Sequence, residues 1–346
     1  MCKFISTAAY VKVRALYSKR ILNPESFNKL FSCKNILEIA EFISNAGYYP
    51  GILTGSDKNE LHRGELEARL RENFFNSLSH CVEFDKTINE NFVNYIQIKT
   101  EVSNILRFLI FLKSGNVKDC KLCLPNYFVR YTKINFNNFN NIVNYEQFME
   151  NIKFSVYYKI LKSLGYLKVS EIDINTIETL LYSYFFEFIM KYVKDNLSKA
   201  FLKIINNFYV DYIDAMNLIR IVRLRKNYNI SDSYLKSLMF KFPGYNIRKI
   251  YKFASIKNFD DLVYKVKQIK IFKKFNNHSF LDNIDKIPKS IKFIWAKRNI
   301  KFSNLPIVIS LSYIFLKEIE IINITNIIEG KRYELKQDEV EKMLIR

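Results

Sequence analysis

Apolar residues recur every three or four positions along residues 204–228. If this segment is helical, six of them share one stripe of the surface, namely Ile205, Phe208, Tyr212, Met216, Ile219 and Val222. Charged residues such as Lys203, Asp211, Arg220 and Arg223 fall outside that stripe. The pattern predicts a long amphipathic α-helix.

The same pattern occurs three times in the chain, the other two copies being residues 95–113 and 314–331. In each copy an acid lies three residues before an asparagine, and the three pairs are Glu101 and Asn104, Asp214 and Asn217, and Glu320 and Asn323. The asparagines are 113 and 106 residues apart (217 − 104 and 323 − 217). One helical unit of about 110 residues is therefore repeated.

A second pair of segments supports this repeat length. Residues 66–78 and 177–189 match at an offset of 111, including the doubled aromatics Phe74-Phe75 and Phe185-Phe186. We predict an all-α protein of three similar helical lobes, divided as residues 1–117, 118–229 and 230–346. Helix starts are predicted at Asn23-Pro24 and at Ser231 from their capping chemistry.

Composition agrees with a helical, folded chain. The 346 residues include only 8 Gly and 6 Pro, which are too few for the many tight turns of an all-β protein. The 49% of hydrophobic residues excludes wholesale disorder. We expect no signal peptide and no transmembrane helix, and the odd number of cysteines, five, favours reduced thiols in the cytoplasm.

The formal net charge of +20 favours an anionic partner, although cations spread along a chain are more typical of a solvated surface. No phosphate-binding glycine loop is present. Cys120 and Cys123 form a CxxC without a second ligand pair, the three histidines are isolated, and the lone Trp295 is expected to pack. We therefore predict no catalytic residue, cofactor or metal. The acid–asparagine pairs are interpreted as devices that fix helix register, because a carboxylate and an amide three residues apart share a helix face.

These features together resemble the C subunit of the V/A-type rotary ATPase, whose eukaryotic counterpart is the d subunit. The resemblance spans nearly the whole chain: Tyr10, Arg14 and Ala15-Leu16, residues 66–78, the three acid–asparagine helices, and the closing residues Lys317, Glu318, Glu320, Asn323, Gly330 and Lys331. The chain departs from that family at Thr325, where an arginine is common.

The resemblance implies a funnel of three helical lobes around a pseudo-threefold axis. It implies a non-catalytic rotor connector, peripheral on the cytoplasmic side of the membrane. The connector would join the central-stalk subunits to the membrane proteolipid ring and transmit torque for ion transport such as proton transport. Five cations are predicted as partner contacts: Arg220, Arg223, Arg225, Lys317 and Lys331.

Two other classes remain open from the residues alone. A basic helical nucleic-acid-binding protein fits the net charge and the aromatics interleaved with lysines, but no recognition-helix or RNA-binding signature is present. An α-solenoid scaffold fits the repetition, but a period near 110 residues exceeds that of helical-pair repeats.

Overall fold

A computed structural model describes residues 7–55, 61–82, 86–120, 132–165, 168–196, 199–228, 230–275 and 280–345. These residues form 15 α-helices joined by turns and short 3₁₀ segments, and none of them lies in a β-strand. The all-α prediction is confirmed.

The helices range in length from 6 to 29 residues. In chain order they are α1 (Thr7–Arg20), α2 (Pro24–Ser32), α3 (Ile36–Asn45), α4 (Arg63–Val82), α5 (Lys86–Ser114), α6 (Tyr145–Asn151), α7 (Val156–Leu161), α8 (Ile174–Asn196), α9 (Lys199–Asn227), α10 (Asp232–Ser237), α11 (Arg248–Ala254), α12 (Phe259–Gln268), α13 (Ile287–Phe302), α14 (Pro306–Arg332) and α15 (Gln337–Met343). The three copies of the repeated pattern are the three longest, α5, α9 and α14.

Asparagine side chains begin several of the short helices. Asn23 accepts a hydrogen bond from the Ser26 amide at 2.8 Å, with Pro24 in the first turn, which confirms the predicted start of α2. Asn35, Asn144 and Asn258 cap α3, α6 and α12 in the same way. The caps satisfy amide groups that have no partner within the helix.

Each long helix packs against the helix that precedes it, giving the pairs α4–α5, α8–α9 and α13–α14. Each long helix also packs against the first helix of another pair: α5 against α8, α9 against α13, and α14 against α4. The three pairs therefore contact one another in a closed cycle. The cycle ends where it began, because the last long helix lies against the first pair.

An aromatic contact is found at every junction of the cycle. Tyr95 lies 5.3 Å from Phe185, Phe208 lies 4.5 Å from Trp295, and Phe74 lies 6.2 Å from Tyr313, measured between ring centroids. Phe74, Phe185 and Trp295 are separated by 111 and 110 residues (185 − 74 and 295 − 185). Trp295 is thus a packing residue, as expected for it.

Helix α14 differs from the simple amphipathic pattern of its two counterparts. Twenty of its 27 residues are buried, on every side of the helix, including Ser310, Ser312 and Lys317. The cause is its position, since α1, α2, α4, α13 and α15 all pack against it. No helix in the described parts of the chain is both long enough and apolar enough to span a membrane.

Candidate functional site

The three acid–asparagine pairs are buried inside the fold. All six side chains, Glu101, Asn104, Asp214, Asn217, Glu320 and Asn323, belong to residues that are at most 7% exposed. Each pair lies within a long helix, three residues apart, so its two side chains share a face. Buried polar groups of this kind need hydrogen-bond partners, and most of those partners come from outside the helix.

Each carboxylate accepts a hydrogen bond from a tyrosine of a connecting segment. The Tyr157 hydroxyl donates to Glu101 at 2.7 Å, that of Tyr245 to Asp214 at 2.6 Å, and that of Tyr49 to Glu320 at 2.7 Å. Tyr49 follows α3, Tyr157 lies in the first turn of α7, and Tyr245 lies between α10 and α11. The tyrosine–carboxylate hydrogen bond therefore recurs in all three copies, but the tyrosine does not occupy the same position in each segment between the long helices.

Burial raises the pKa of all three phenols, and the neighbouring carboxylate raises each further, by its charge and by the hydrogen bond it accepts. The phenols thus stay protonated and act as donors. Glu320 accepts two more hydrogen bonds, from the Leu22 amide and from Lys317 Nζ, each at 2.6 Å. Burial lowers the pKa of Lys317, and the charge of Glu320 opposes that shift.

Two of the asparagines form a pair of hydrogen bonds with the backbone of the segment that follows their helix. Asn217 donates to the carbonyl of Phe240 at 3.0 Å and accepts from its amide at 2.8 Å. Asn323 makes the same two bonds to Ile345, at 3.0 and 2.9 Å. The corresponding partner of Asn104, 22 or 23 residues on, would fall at residues 126–127, outside the described residues. The side-chain amides of Asn217 and Asn323 thus hold the following chain segment in place and do not bond the acid of their own pair.

A buried charge cluster, which the sequence analysis missed, lies between the long helices. Lys99 of α5 pairs with Glu318 of α14 at 2.5 Å. Lys292 of α13 places its ammonium 4.8 Å from the Tyr212 ring and 4.9 Å from the Phe315 ring. A signal for it exists in the repeat, since Lys99, Tyr212 and Glu318 each lie five residues before a motif asparagine.

The cluster shifts the pKa values of its members. Burial lowers the pKa of Lys99 to about 8, although Glu318 acts in the opposite direction. Burial raises the pKa of Glu318, but the charges of Lys99 and Lys292 outweigh it and leave the pKa below its ordinary value. The cluster is therefore held together by ion pairing that offsets a desolvation cost.

Four of the five predicted partner contacts bond groups inside the protein, and Arg220 and Arg225 make the most such bonds. Arg220 donates to Thr179 Oγ1 at 2.7 Å and to the Leu238 carbonyl at 2.8 Å, pairs with Glu178, and lies 4.2 Å from the Phe240 ring. These bonds hold the segment after α9 against α8.

Arg225 donates to the carbonyls of Ile230 and Ala254, both at 2.7 Å, and pairs with Asp232. It ties α9 to the segments that contain α10 and α11.

The other three predicted contacts differ in exposure. Lys317 is 2% exposed and lies 3.8 Å from the Tyr49 ring as well as bonding Glu320. Lys331 donates to the Phe31 carbonyl at 2.8 Å and is half-buried. Arg223 keeps 60% of its side chain exposed beside Asp285, at 3.3 Å. The partner-contact prediction stays untested for all five, and the exposure of Arg223 favours it most.

The CxxC of the sequence lies only partly within the described residues. Cys120 is buried, and Cys123 lies outside the described residues. Among the described residues, no group of three or more His, Cys, Asp or Glu side chains is arranged to hold a metal ion.

The fold and these interactions define an all-helical protein whose buried polar groups join helices and connecting segments. The family described as ATP synthase (C/AC39) subunit matches residues 9–343, and the chain belongs to this family. The resemblance read from the sequence is thereby confirmed. No curated protein matches the chain closely enough to serve as a relative. The family match supports an accessory subunit of a rotary ATPase, and nothing found supports the nucleic-acid alternative.

Proposed function

We propose that this chain is the non-catalytic connector between the central stalk and the membrane proteolipid ring of a V/A-type rotary ATPase. The observation that carries the proposal is the family match over residues 9–343. In this role the chain turns with the rotor, on the cytoplasmic side of the membrane, and passes torque between the soluble head and the ring.

The closed cycle of helix pairs supports a torque-bearing role. A connector must resist deformation, and every helix pair here is braced by the next one through a long helix and an aromatic contact. We assign the three pairs to three lobes, residues 1–117, 118–229 and 230–346, arranged as a funnel. The acid, asparagine and tyrosine groups fix the connecting segments to the long helices and add stiffness.

The ends of two long helices supply candidate contact points. Tyr228 follows α9 and Tyr333 follows α14, 105 residues later (333 − 228), and each is 63% exposed. Arg223 is exposed within the last turns of α9. Exposed tyrosine beside arginine is typical of protein interfaces.

Reconstitution tests the function directly. Membranes that contain the proteolipid ring, together with the soluble head and stalk, are assembled with and without the purified chain. We expect ATP-driven ion transport only when the chain is present, while ATP hydrolysis by the head persists without it. Undiminished transport in its absence would refute the connector role.

Binding kinetics test the part played by charge. Surface plasmon resonance should show on-rates for the stalk subunits that fall steeply from low to physiological salt, with smaller changes in off-rate. Arg223→Gln should lower the on-rate without changing the melting temperature, and Lys252→Gln serves as the matched control. A salt-independent on-rate would remove the electrostatic role.

A further inference from the structure

A groove with apolar and cationic walls runs between the first helices of the chain and α13. It has a volume of about 690 Å³, and we call it the basic groove; it is lined by Tyr17, Ile21, Phe27, Phe293, Lys297 and Lys301, with further residues of α14 at its floor. This volume lies in the range of small-molecule sites, which are mostly apolar with a few polar groups.

Two of the helices that line it, α1 and α13, carry only positive charge, whereas α2 carries one acid, Glu25, which is not among the lining residues. Helix α1 contains four Lys or Arg residues and α13 contains five, and neither contains an acid. Lys297 and Lys301 are exposed and form no ion pair with a carboxylate of the described residues. The one acid at the floor, Glu320, already accepts bonds from Leu22, Tyr49 and Lys317. The charges that line the groove thus favour an anion.

Apolar side chains beside the groove are left exposed. Phe302 ends α13 next to Lys301 and is 78% exposed, and Ile294 lies two turns earlier on the same helix. Phenylalanine and isoleucine interleaved with lysine and arginine are typical of surfaces that meet an anionic lipid layer. Phe302 in particular has most of its surface free of contact with the rest of the protein.

We propose that the basic groove binds an anionic phospholipid, with the phosphate between Lys297 and Lys301 and an acyl chain along Tyr17, Ile21 and Phe293. The lining favours a lipid, because it joins aromatic and aliphatic side chains to two lysines that have no carboxylate partner among the described residues, and an acyl chain with a phosphate headgroup matches both. The assignment does not depend on the proposed connector function, since it uses only this chain.

The test uses the full chain and soluble short-chain lipids below their micelle concentration. Titration calorimetry compares dihexanoyl phosphatidylglycerol, dihexanoyl phosphatidylcholine and glycerol phosphate, which has the headgroup charge without acyl chains. We expect the phosphatidylglycerol to bind at least about tenfold more tightly than either of the others, because only it offers both the anion and the apolar chain. Equal binding of phosphatidylcholine, or of glycerol phosphate, would overturn the proposal.

Two variants and a matched control separate the groove from general charge attraction. Lys297→Gln with Lys301→Gln should weaken phosphatidylglycerol binding about tenfold, and Ser18→Trp, which places an indole in the groove, should weaken it without changing the charge. Lys252→Gln with Lys273→Gln removes the same charge from exposed positions elsewhere and should change it less than about twofold. Melting curves verify that each variant is folded.

Equal weakening by the control pair would show attraction to the whole basic surface and refute a groove site. Absence of lipid binding, together with capture of an acidic stalk subunit that requires Lys297 and Lys301, would assign the groove to a protein helix instead.

Discussion

The motif at Asp214 and the motif at Glu320 have the same sequence pattern but different surroundings. Asp214 receives its bonds from Tyr245 and Lys249, which follow it by 31 and 35 residues, and the Lys249 side chain is 43% exposed. Glu320 receives its bonds from Leu22 and Tyr49, which precede it by 298 and 271 residues, and from the buried Lys317.

The two acids therefore differ in the range of the contacts they make: those of Asp214 are short in sequence separation, and those of Glu320 from Leu22 and Tyr49 span most of the chain. The Asp214 group ties a long helix to the segment that leaves it, and its counter-ion can turn to water. The Glu320 group ties the last long helix to the first segments of the chain, and its ammonium has no access to water. Removing the acid should therefore cost more stability where it closes the cycle than where it fixes a neighbouring segment, because its removal leaves a buried ammonium without a partner.

Neutralising each acid tests that contrast and should give the largest effect. Glu320→Gln leaves the Lys317 charge buried without its partner, and we expect it to lower the free energy of unfolding by about 3–5 kcal/mol. Asp214→Asn should cost about 0.5–2 kcal/mol, because Lys249 is solvated and the hydrogen bond from Tyr245 is the main loss. Urea melts measure both.

The pair Glu320→Gln and Lys317→Met should recover part of the loss, since no buried charge remains. If the two single variants lost the same free energy of unfolding, the distinction between the buried counter-ion Lys317 and the solvated counter-ion Lys249 would be contradicted.

The asparagines, in contrast, should respond alike. Asn217→Asp and Asn323→Asp each turn an amide donor into a carboxylate oxygen that faces a backbone carbonyl and the motif acid. We expect a loss of about 2–4 kcal/mol in each case, equal to within about 1 kcal/mol. Asn207→Asp, at an exposed position of α9, is the control and should change stability by less than about 0.5 kcal/mol. A large difference between the two variants in urea melts would mean that their backbone contacts are not equivalent.

The segments that follow α9 and α14, to which Asn217 and Asn323 are hydrogen-bonded, pack against their long helices in different ways. At the corresponding place on each long helix, 106 residues apart (330 − 224), α9 has Leu224 and α14 has Gly330. A Cβ on Gly330 would lie 2.3 Å from Cγ2 of the buried Val340. Gly330→Ala should therefore cost about 1–3 kcal/mol, and Val340→Ala should relieve it when the two are combined.

Without that close approach, replacing a helical glycine by alanine would stabilise by about 1 kcal/mol. The sign of the change in a urea melt thus decides whether α14 and α15 approach as closely as described.

The charge cluster gives the smallest expected effect, which is a pH-dependent contribution of Lys99 to stability. The folded-state pKa of Lys99 is about 8, below the ordinary value of about 10.4 expected in the unfolded chain. Between these values the unfolded state binds more protons, so the stability of the parent rises with pH. Lys99→Met lacks this dependence, and the stability of the parent relative to the variant should increase from pH 8 to pH 10. Paired urea melts across that range measure it. A difference that is constant or falls with pH would contradict a desolvated Lys99.

The sequence was sufficient for the three long helices, because their buried positions repeat. The offsets of 113 and 106 located α5, α9 and α14, and the caps at Asn23 and Ser231 were read from local chemistry alone. The phenols of Tyr49, Tyr157 and Tyr245 could not be found in this way. They lie in connecting segments, at distances from their acids that only the folded chain defines.

The sequence also did not reveal which arginines and lysines bond groups inside the protein. Arg220 and Arg225 bind backbone carbonyls, and every residue has one, so no pattern of side chains reveals such a partner. Exposure decides whether a cation is free to meet another molecule, and exposure follows from packing across the whole cycle.

The cyclic closure also constrains when the protein can fold during its synthesis. Leu22 and Tyr49 are made early, but their acceptor, Glu320, is made nearly 300 residues later. At the ordinary pace of translation of about 5–20 residues per second, the first segments wait on the order of 15 seconds or longer before the last long helix exists. The bonds that complete the cycle are therefore among the last to form. A truncated or stalled chain lacks them, however well its earlier helices have folded.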